Sequence, residues 1–197
     1  MERSDTHQCH PIISFYRSMT NYRRANVAGA TYFFTANLLD RRSALLVEHI
    51  GLLHEALRYV QTRHPYTTDA MVVLPEHLHV IWTLPPGDAD FSTRWRLNKT
   101  EFTRGLPQDE QRSASRISKG ERGIWQRRYW EHMIRDEEDF ARHVDYIHIN
   151  PVKHGWVKQV ADWPHSSFHR FVAAGVLPQD WAGSPEMQTG CGEREDW

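Results

Sequence analysis

Apolar positions along the chain recur with two periods, and the switches between those periods mark out the elements. Thr31 to Leu38 is rich in β-branched and aromatic residues and predicts a strand. Asp40 to Ser43 reads as a turn and helix start. After it, Leu45, Leu46, Ile50, Leu53, Leu57 and Val60 recur at helical spacing, which predicts an amphipathic helix over 44–63 that ends before Pro65. Asp69 to Leu74 and His77 to Leu84 form two further strands. Only Pro75 and Glu76 separate them, so the pair reads as a hairpin. Pro85-Pro86-Gly87-Asp88 is a strong break. A second helix follows over 91–103, with Phe91, Trp95 and Phe102 on its apolar side. The polar stretch 105–123 predicts a mobile loop, and the Trp- and Tyr-rich stretch 124–134 a fourth strand. A third helix spans 136–149, with Asp136 as its cap and Phe140, Val144 and Ile147 as its apolar stripe. Pro151 is expected to stop that helix at Asn150. The remainder, with Trp156, Trp163, Phe168 and Phe171, predicts a packed extension.

The order is β-α-β-β-α-β-α. It predicts an α+β fold of the ferredoxin-like, split βαβ type: a mainly antiparallel sheet, helices on one face, one added helix and a C-terminal extension. A chain of 197 residues with 40% hydrophobic and 12% aromatic content is enough for one core. The boundaries expected are a flexible arm over 1–22, a single domain over 23–183 and an acidic, disordered tail over 184–197. Cys9 and Cys191 are the only cysteines, which fits a reducing cytoplasm. The polar start lacks the apolar run of a signal peptide, and no stretch is apolar enough to predict a membrane span.

Charge changes the picture once it is located. The formal net charge is −1, which excludes a strongly basic nucleic-acid protein of the histone type. The average is uneven, however. Residues 172–197 carry −4, 11–171 carry +4, and within that body 91–135 hold 11 bases against five acids. The bases, among them Arg94, Lys99, Arg127 and Arg128, alternate with Trp95, Trp125, Tyr129 and Trp130. For any single residue that mixture reads as a solvated face over a buried aromatic core, whereas the window as a whole suits phosphate contacts and base stacking on single-stranded DNA. Arg23, Arg24 and Lys153 add further bases.

Two small constellations could carry chemistry. His77-Leu78-His79 lies in a strand, so alternation points both imidazoles to one face. Two neutral imidazoles bind a divalent ion when a third ligand arrives. In a chain with 13 histidines the same pattern also arises by chance as two core residues. Tyr146 and Asn150 are four apart on a helix and share a face. If that face meets the histidines, Asn150 offers an amide oxygen and Tyr146 stands beside the metal. Otherwise Tyr146 packs in the core and Asn150 caps the helix end.

Several motifs carry a family resemblance. Leu74-Pro75-Glu76-His77-Leu78-His79, followed by Val80 to Pro85, resembles the His-hydrophobic-His motif of the single-tyrosine HUH transposases. Trp125 to His132, Tyr146 to Trp156, Trp163 to His169 and Asp180 to Gly183 are similar to the REP-associated tyrosine transposases in particular. Together the motifs span about residues 22–183.

The resemblance implies domesticated relatives of insertion-sequence transposases, which bind and cut single-stranded DNA at repetitive extragenic palindromic hairpins with a short foot, usually GTAG. It maps the catalytic tyrosine to Tyr146 and the metal histidines to His77 and His79. The insertion-sequence enzymes place a metal-binding glutamine four residues after the tyrosine; here the position is Asn150, one methylene shorter. Ligand softness alone favours Zn²⁺ at such a site. The resemblance implies Mg²⁺ or Mn²⁺ instead, together with a 5′-phosphotyrosine intermediate and a chain near the nucleoid. That chain acts as a monomer like the REP-associated group or as a dimer like the insertion-sequence enzymes, one tyrosine per chain fitting either. A hairpin-binding regulator without chemistry is the competing expectation. A hydrolytic nuclease with a structural Tyr146 is a third.

Overall fold

The computed structural model describes residues 26–108, 114–120 and 122–183. The expected arm over 1–22, Arg23 and Arg24, and the acidic tail over 184–197 lie outside the described residues. In chain order the elements are β1 (Thr31–Asn37), α1 (Leu45–Glu48), α2 (Ile50–Arg63), β2 (Thr67–Val73), β3 (His77–Thr83), α3 (Phe91–Gly105), α4 (Ala114–Ser118), β4 (Trp130–Met133), α5 (Glu137–Lys153) and α6 (Phe168–Ala173), with a 3-10 turn at Val160–Asp162 before α6. The four strands form one antiparallel sheet in the order β2-β3-β1-β4. This is the expected α+β architecture.

The two central strands are covered on both faces. On one face of the sheet Tyr32, Phe34, Leu78, Val80 and Trp82 pack with Leu53, Ala56 and Val60 of α2 and with Phe91, Trp95 and Phe102 of α3. The indole rings of Trp82 and Trp95 stack there at 4.5 Å. On the other face Phe33, Ala70, Val72 and Ile81 pack with Val144, Tyr146 and Ile147 of α5. The helices therefore lie on both faces and not on one. β3 is buried from His77 to Trp82, so both its faces need cover, and the stripe of α5 supplies the second.

Three local expectations are corrected. The helix over 44–63 is broken at His49 (φ −115°, ψ 35°). Its first turn is tied to the β2–β3 connection by a bond from the Leu46 amide to the Pro75 carbonyl, and α2 then sets off to cover the sheet. The fourth strand is only Trp130–Met133; upstream, Trp125 makes a single bridge to Leu38, and Trp125 and Tyr129 pack against the α2–α3 core. Within 105–123, Ala114–Ser118 is a short helix.

The third helix does not stop at Asn150 but runs to Lys153 with Pro151 inside it. Proline removes only its own N–H, and what matters is whether the last carbonyls find partners. They do. The Trp156 amide donates to the Pro151 carbonyl and the Gly155 amide to that of Val152, with Gly155 at φ +71°. This is a Schellman end, and the positive φ is why glycine stands there.

Arg94 of α3 was expected to touch DNA, and its burial contradicts that. It is 3% exposed, makes two bonds to the Asp88 carboxylate at 2.6 and 3.1 Å, and donates to the carbonyls of His64, Pro65 and Asp90. A guanidinium so committed joins the end of α2 to the start of α3. Arg94→Ala strips partners from those carbonyls and from Asp88. It is expected to lower the unfolding free energy by about 3 kcal/mol, measured by urea denaturation.

Candidate functional site

The site is built where the covered face of β3 meets α5. In the register β3 sets His79 opposite Thr35 and His77 opposite Asn37, both on β1. Both histidines are fully buried, with ring centroids 4.9 Å apart. Each ring has a defined partner at Nδ1. His77 Nδ1 meets a Glu76 carboxylate oxygen at 2.9 Å, and His79 Nδ1 meets Thr35 Oγ1 at 2.8 Å. A carboxylate only accepts, so Nδ1 of His77 donates and carries the proton. Burial opposes the Glu76 charge, but its bond with His77 and the nearby Arg41 outweigh that and hold the carboxyl below its usual range. Both rings are thereby held at Nδ1, the kind of second-layer hydrogen bond that orients imidazoles at metal sites.

α5 supplies the other half. Its N-terminus is fixed by Asp136, whose carboxylate accepts the Asp139 amide at 2.8 Å. Tyr146 is 1% exposed, and its ring lies edge-on to His79 at 5.2 Å and to Phe33 at 6.0 Å. One turn on, Asn150 is fully buried, and neither atom of its carboxamide has a hydrogen-bond partner among the described residues. Such a group costs roughly 1–3 kcal/mol of desolvation, a cost that a cation at the amide oxygen would offset. Two imidazoles and an amide oxygen with no competing bond are a donor set that fits a divalent ion. Lys153, a further turn along and exposed, holds its ammonium 4.9 Å from the Tyr146 ring centroid. The structure thus brings His77, His79, Tyr146 and Lys153 together, with Asn150 on the same helix face as Tyr146.

The other sequence-predicted contacts are elsewhere. Lys99 is on α3, across the sheet, and donates to the Gln126 carbonyl at 2.9 Å. Trp95 is a core residue on that side. Arg127 and Arg128 are exposed just before β4.

Some neighbours of the site were not singled out from the sequence. Glu76 was readable as an acid directly before His77. Thr35 was not, because only the strand register reveals it. His154, at the end of α5, has its ring 5.2 Å from that of His77. His148 is buried, bonds Ser167 Oγ at 3.0 Å and ties α5 to the C-terminal extension; burial pushes it down to about 4. A separate cluster joins β4 to α5, where ligand atoms of His132, Asp139 and His143 lie within 4.8 Å of one another. These are metal-binding residue types, but the Asp139 carboxylate is already engaged. His132 Nε2 is at 2.8 Å, Arg135 Nε at 3.1 Å and an Arg142 nitrogen at 3.3 Å. It reads as an arginine-neutralised hub that anchors the start of the helix bearing Tyr146.

No family model matches the chain. It is 53% identical over 165 residues to the REP-associated tyrosine transposase of Escherichia coli (strain K12), covering 84% of this chain and 92% of that protein. It is 46% identical over 171 residues to a Haemophilus influenzae protein provisionally named for the same group, covering 86% and 97%. A solved structure of a REP-associated tyrosine transposase bound to a REP hairpin matches with a TM-score of 0.75 at 50% identity, covering 89% of this chain and 98% of that one.

The Asp139 hub sets an acid limit. Burial works against its charge, but the bonds from Arg135 and His132 prevail and hold the carboxyl far below its usual range. Its contribution to stability is therefore complete above the unfolded value of about 3.9 and is lost as pH falls below it. Asp139→Asn is expected to be less stable than wild type at pH 7, with the gap starting to narrow only as pH falls below about 4 and narrowing further with more acid, read by urea denaturation across pH.

Proposed function

The chain belongs to the REP-associated tyrosine transposases, and on that premise we propose that it is a metal-dependent single-stranded DNA endonuclease and strand transferase. Its substrate would be a REP-type hairpin with a GTAG-type foot, cut through a 5′-phosphotyrosine. One observation carries the reading: the ring of Tyr146 stands 5.2 Å from that of His79, inside the one layer that α5 and β3 share. The hairpin as partner rests on the relative bound to a REP hairpin, 50% identical over 89% of this chain.

His77, His79 and Asn150 would hold the ion. A bound Mg²⁺ or Mn²⁺ would supply Lewis-acid withdrawal of charge from a non-bridging oxygen of the scissile phosphate. Glu76 and Thr35 keep the two imidazoles in their ligating orientation. Tyr146 is the nucleophile. Its oxygen bonds to phosphorus, the bond from phosphorus to the 3′ oxygen breaks, and that oxygen takes up a proton. The phenol loses its own proton to solvent. An ordinary tyrosine has a pKa of about 10, so the phenolate needs help, and the Lys153 ammonium over the ring gives it. The products are a free 3′-OH and a chain joined to the 5′ phosphate. The phosphoester energy is kept, so a second 3′-OH can displace Tyr146 without ATP.

Arg127, Arg128, Lys153 and, outside the described residues, Arg23 and Arg24 are the bases assigned to DNA phosphates. Lys99 acts through the Gln126 carbonyl, steadying the segment that presents the two arginines. The chain would work as a monomer, a reading supported by Tyr146 lying beside His79 of its own chain, with a dimer as the alternative. No described helix is long and apolar enough to cross a membrane.

Two experiments test the reading. With a hairpin oligonucleotide bearing single-stranded flanks, Tyr146→Phe is expected to lose both cleavage and the covalent adduct on a denaturing gel, with mobility-shift binding unchanged. Adduct formation by Tyr146→Phe would remove Tyr146 from its role, and wild-type binding with neither adduct nor cleavage would favour the regulator. Glu76→Ala is expected to weaken Mn²⁺ binding by about 10- to 100-fold in calorimetry, and unchanged affinity would free His77 of its support.

A further inference from the structure

Trp156 is the one exposed tryptophan among the described residues, with 51% of its surface open. Trp82 and Trp95 are core residues, and Trp163 is nearly buried. Tyr59, the other large aromatic left exposed, has the Arg63 guanidinium 3.6 Å over its ring. An open indole is costly to leave in water, and this one is held in place from two sides. Its backbone amide closes the Schellman end of α5 on the Pro151 carbonyl at 2.9 Å. Its ring lies 6.2 Å from that of Trp163, tilted by 41°, and Trp163 is itself pinned by a bond from Nε1 to the Val73 carbonyl at 3.0 Å. The result is a fixed, half-open aromatic plate.

The plate stands at the reactive end of the helix. His154, two residues before Trp156, has its ring 5.2 Å from that of His77. Two residues span at most about 7 Å of chain. Lys153, beside the Tyr146 ring, and Lys158 are both exposed on either side of the plate in sequence, and Asp162 is the nearest exposed acid beyond them. A rigid aromatic face between lysines is the device by which proteins seat unpaired bases, with the cations on the flanking phosphates.

We propose that Trp156 is the stacking platform for an unpaired nucleotide of the hairpin's single-stranded foot, with Lys153 and Lys158 on the adjoining phosphates. The proposal rests on the hairpin reading above and adds where the unpaired bases lie. The role is one of positioning: stacking fixes the foot so that the scissile phosphate meets Tyr146.

The test uses two oligonucleotides, a REP-type hairpin with 2-aminopurine in its unpaired 5′ foot and the same hairpin trimmed of that foot, both in EDTA. Wild type is expected to quench the 2-aminopurine. Trp156→Ala should lose the quenching and bind the footed hairpin about 10-fold more weakly, while Trp156→Phe keeps most of both. Trimmed-hairpin affinity should be the same for all three, which also shows that the variants are folded. If Trp156→Ala quenches and binds the footed hairpin as wild type does, the platform is wrong while the hairpin reading stands. If wild type binds neither oligonucleotide, the hairpin reading fails and the platform falls with it.

Discussion

The structure depends on one constraint, that β3 is a central strand covered on both sides. Side chains alternate along a strand, so covering both sides demands two sets of partners. Leu78, Val80 and Trp82 take the core under α2 and α3, while His77, His79 and Ile81 must find cover elsewhere. α5 provides it. The same alternation that fills the larger core therefore turns the two imidazoles toward the helix that carries Tyr146.

Buried polar groups show how the second face differs from the first. The α2–α3 side is almost wholly aromatic and aliphatic. On the α5 side the apolar residues Phe33, Val144 and Ile147 surround two histidines, a tyrosine and a carboxamide. Those groups are tolerable only where hydrogen bonds or a ligand compensate for lost water. Glu76 and Thr35 do so at Nδ1 of the histidines, and Asn150 is left with both carboxamide atoms uncompensated by the described residues. An apolar stack could fill the same volume at lower cost, so the polar set reads as kept for chemistry.

α5 carries most of the consequences. Its first turn is anchored by the Asp139 hub, its middle presents Tyr146 and Asn150, and its end is closed by Gly155 and Trp156. Rigid elements hold reactive groups more closely than loops do. A proline in the last turn does not break this because the Schellman bonds collect the carbonyls beyond it.

Much of this was legible in the chain itself. The periodicity located three of the four strands to within two residues and the three long helices with less exact ends, and the order of elements implied the antiparallel α+β fold. Spacing showed that His77 and His79 share one strand face and that Tyr146 and Asn150 share one helix face, since parity in a strand and four-residue steps in a helix are local geometry; their roles were implied only by the family resemblance. Other features were not local. The fourth strand was overestimated because Trp125 and Tyr129 look like strand residues yet pack beneath a helix. Arg94 looked like a phosphate contact because nothing in its neighbours shows that the carbonyls of His64 and Pro65 will converge on it. The continuation of α5 past Pro151 depended on the partners its carbonyls find. What the sequence by itself determined is therefore which side chains share a face. Which face meets which, and so whether a tyrosine and two histidines become one site, was decided by tertiary packing, because two-sided burial of β3 is a property of the whole sheet.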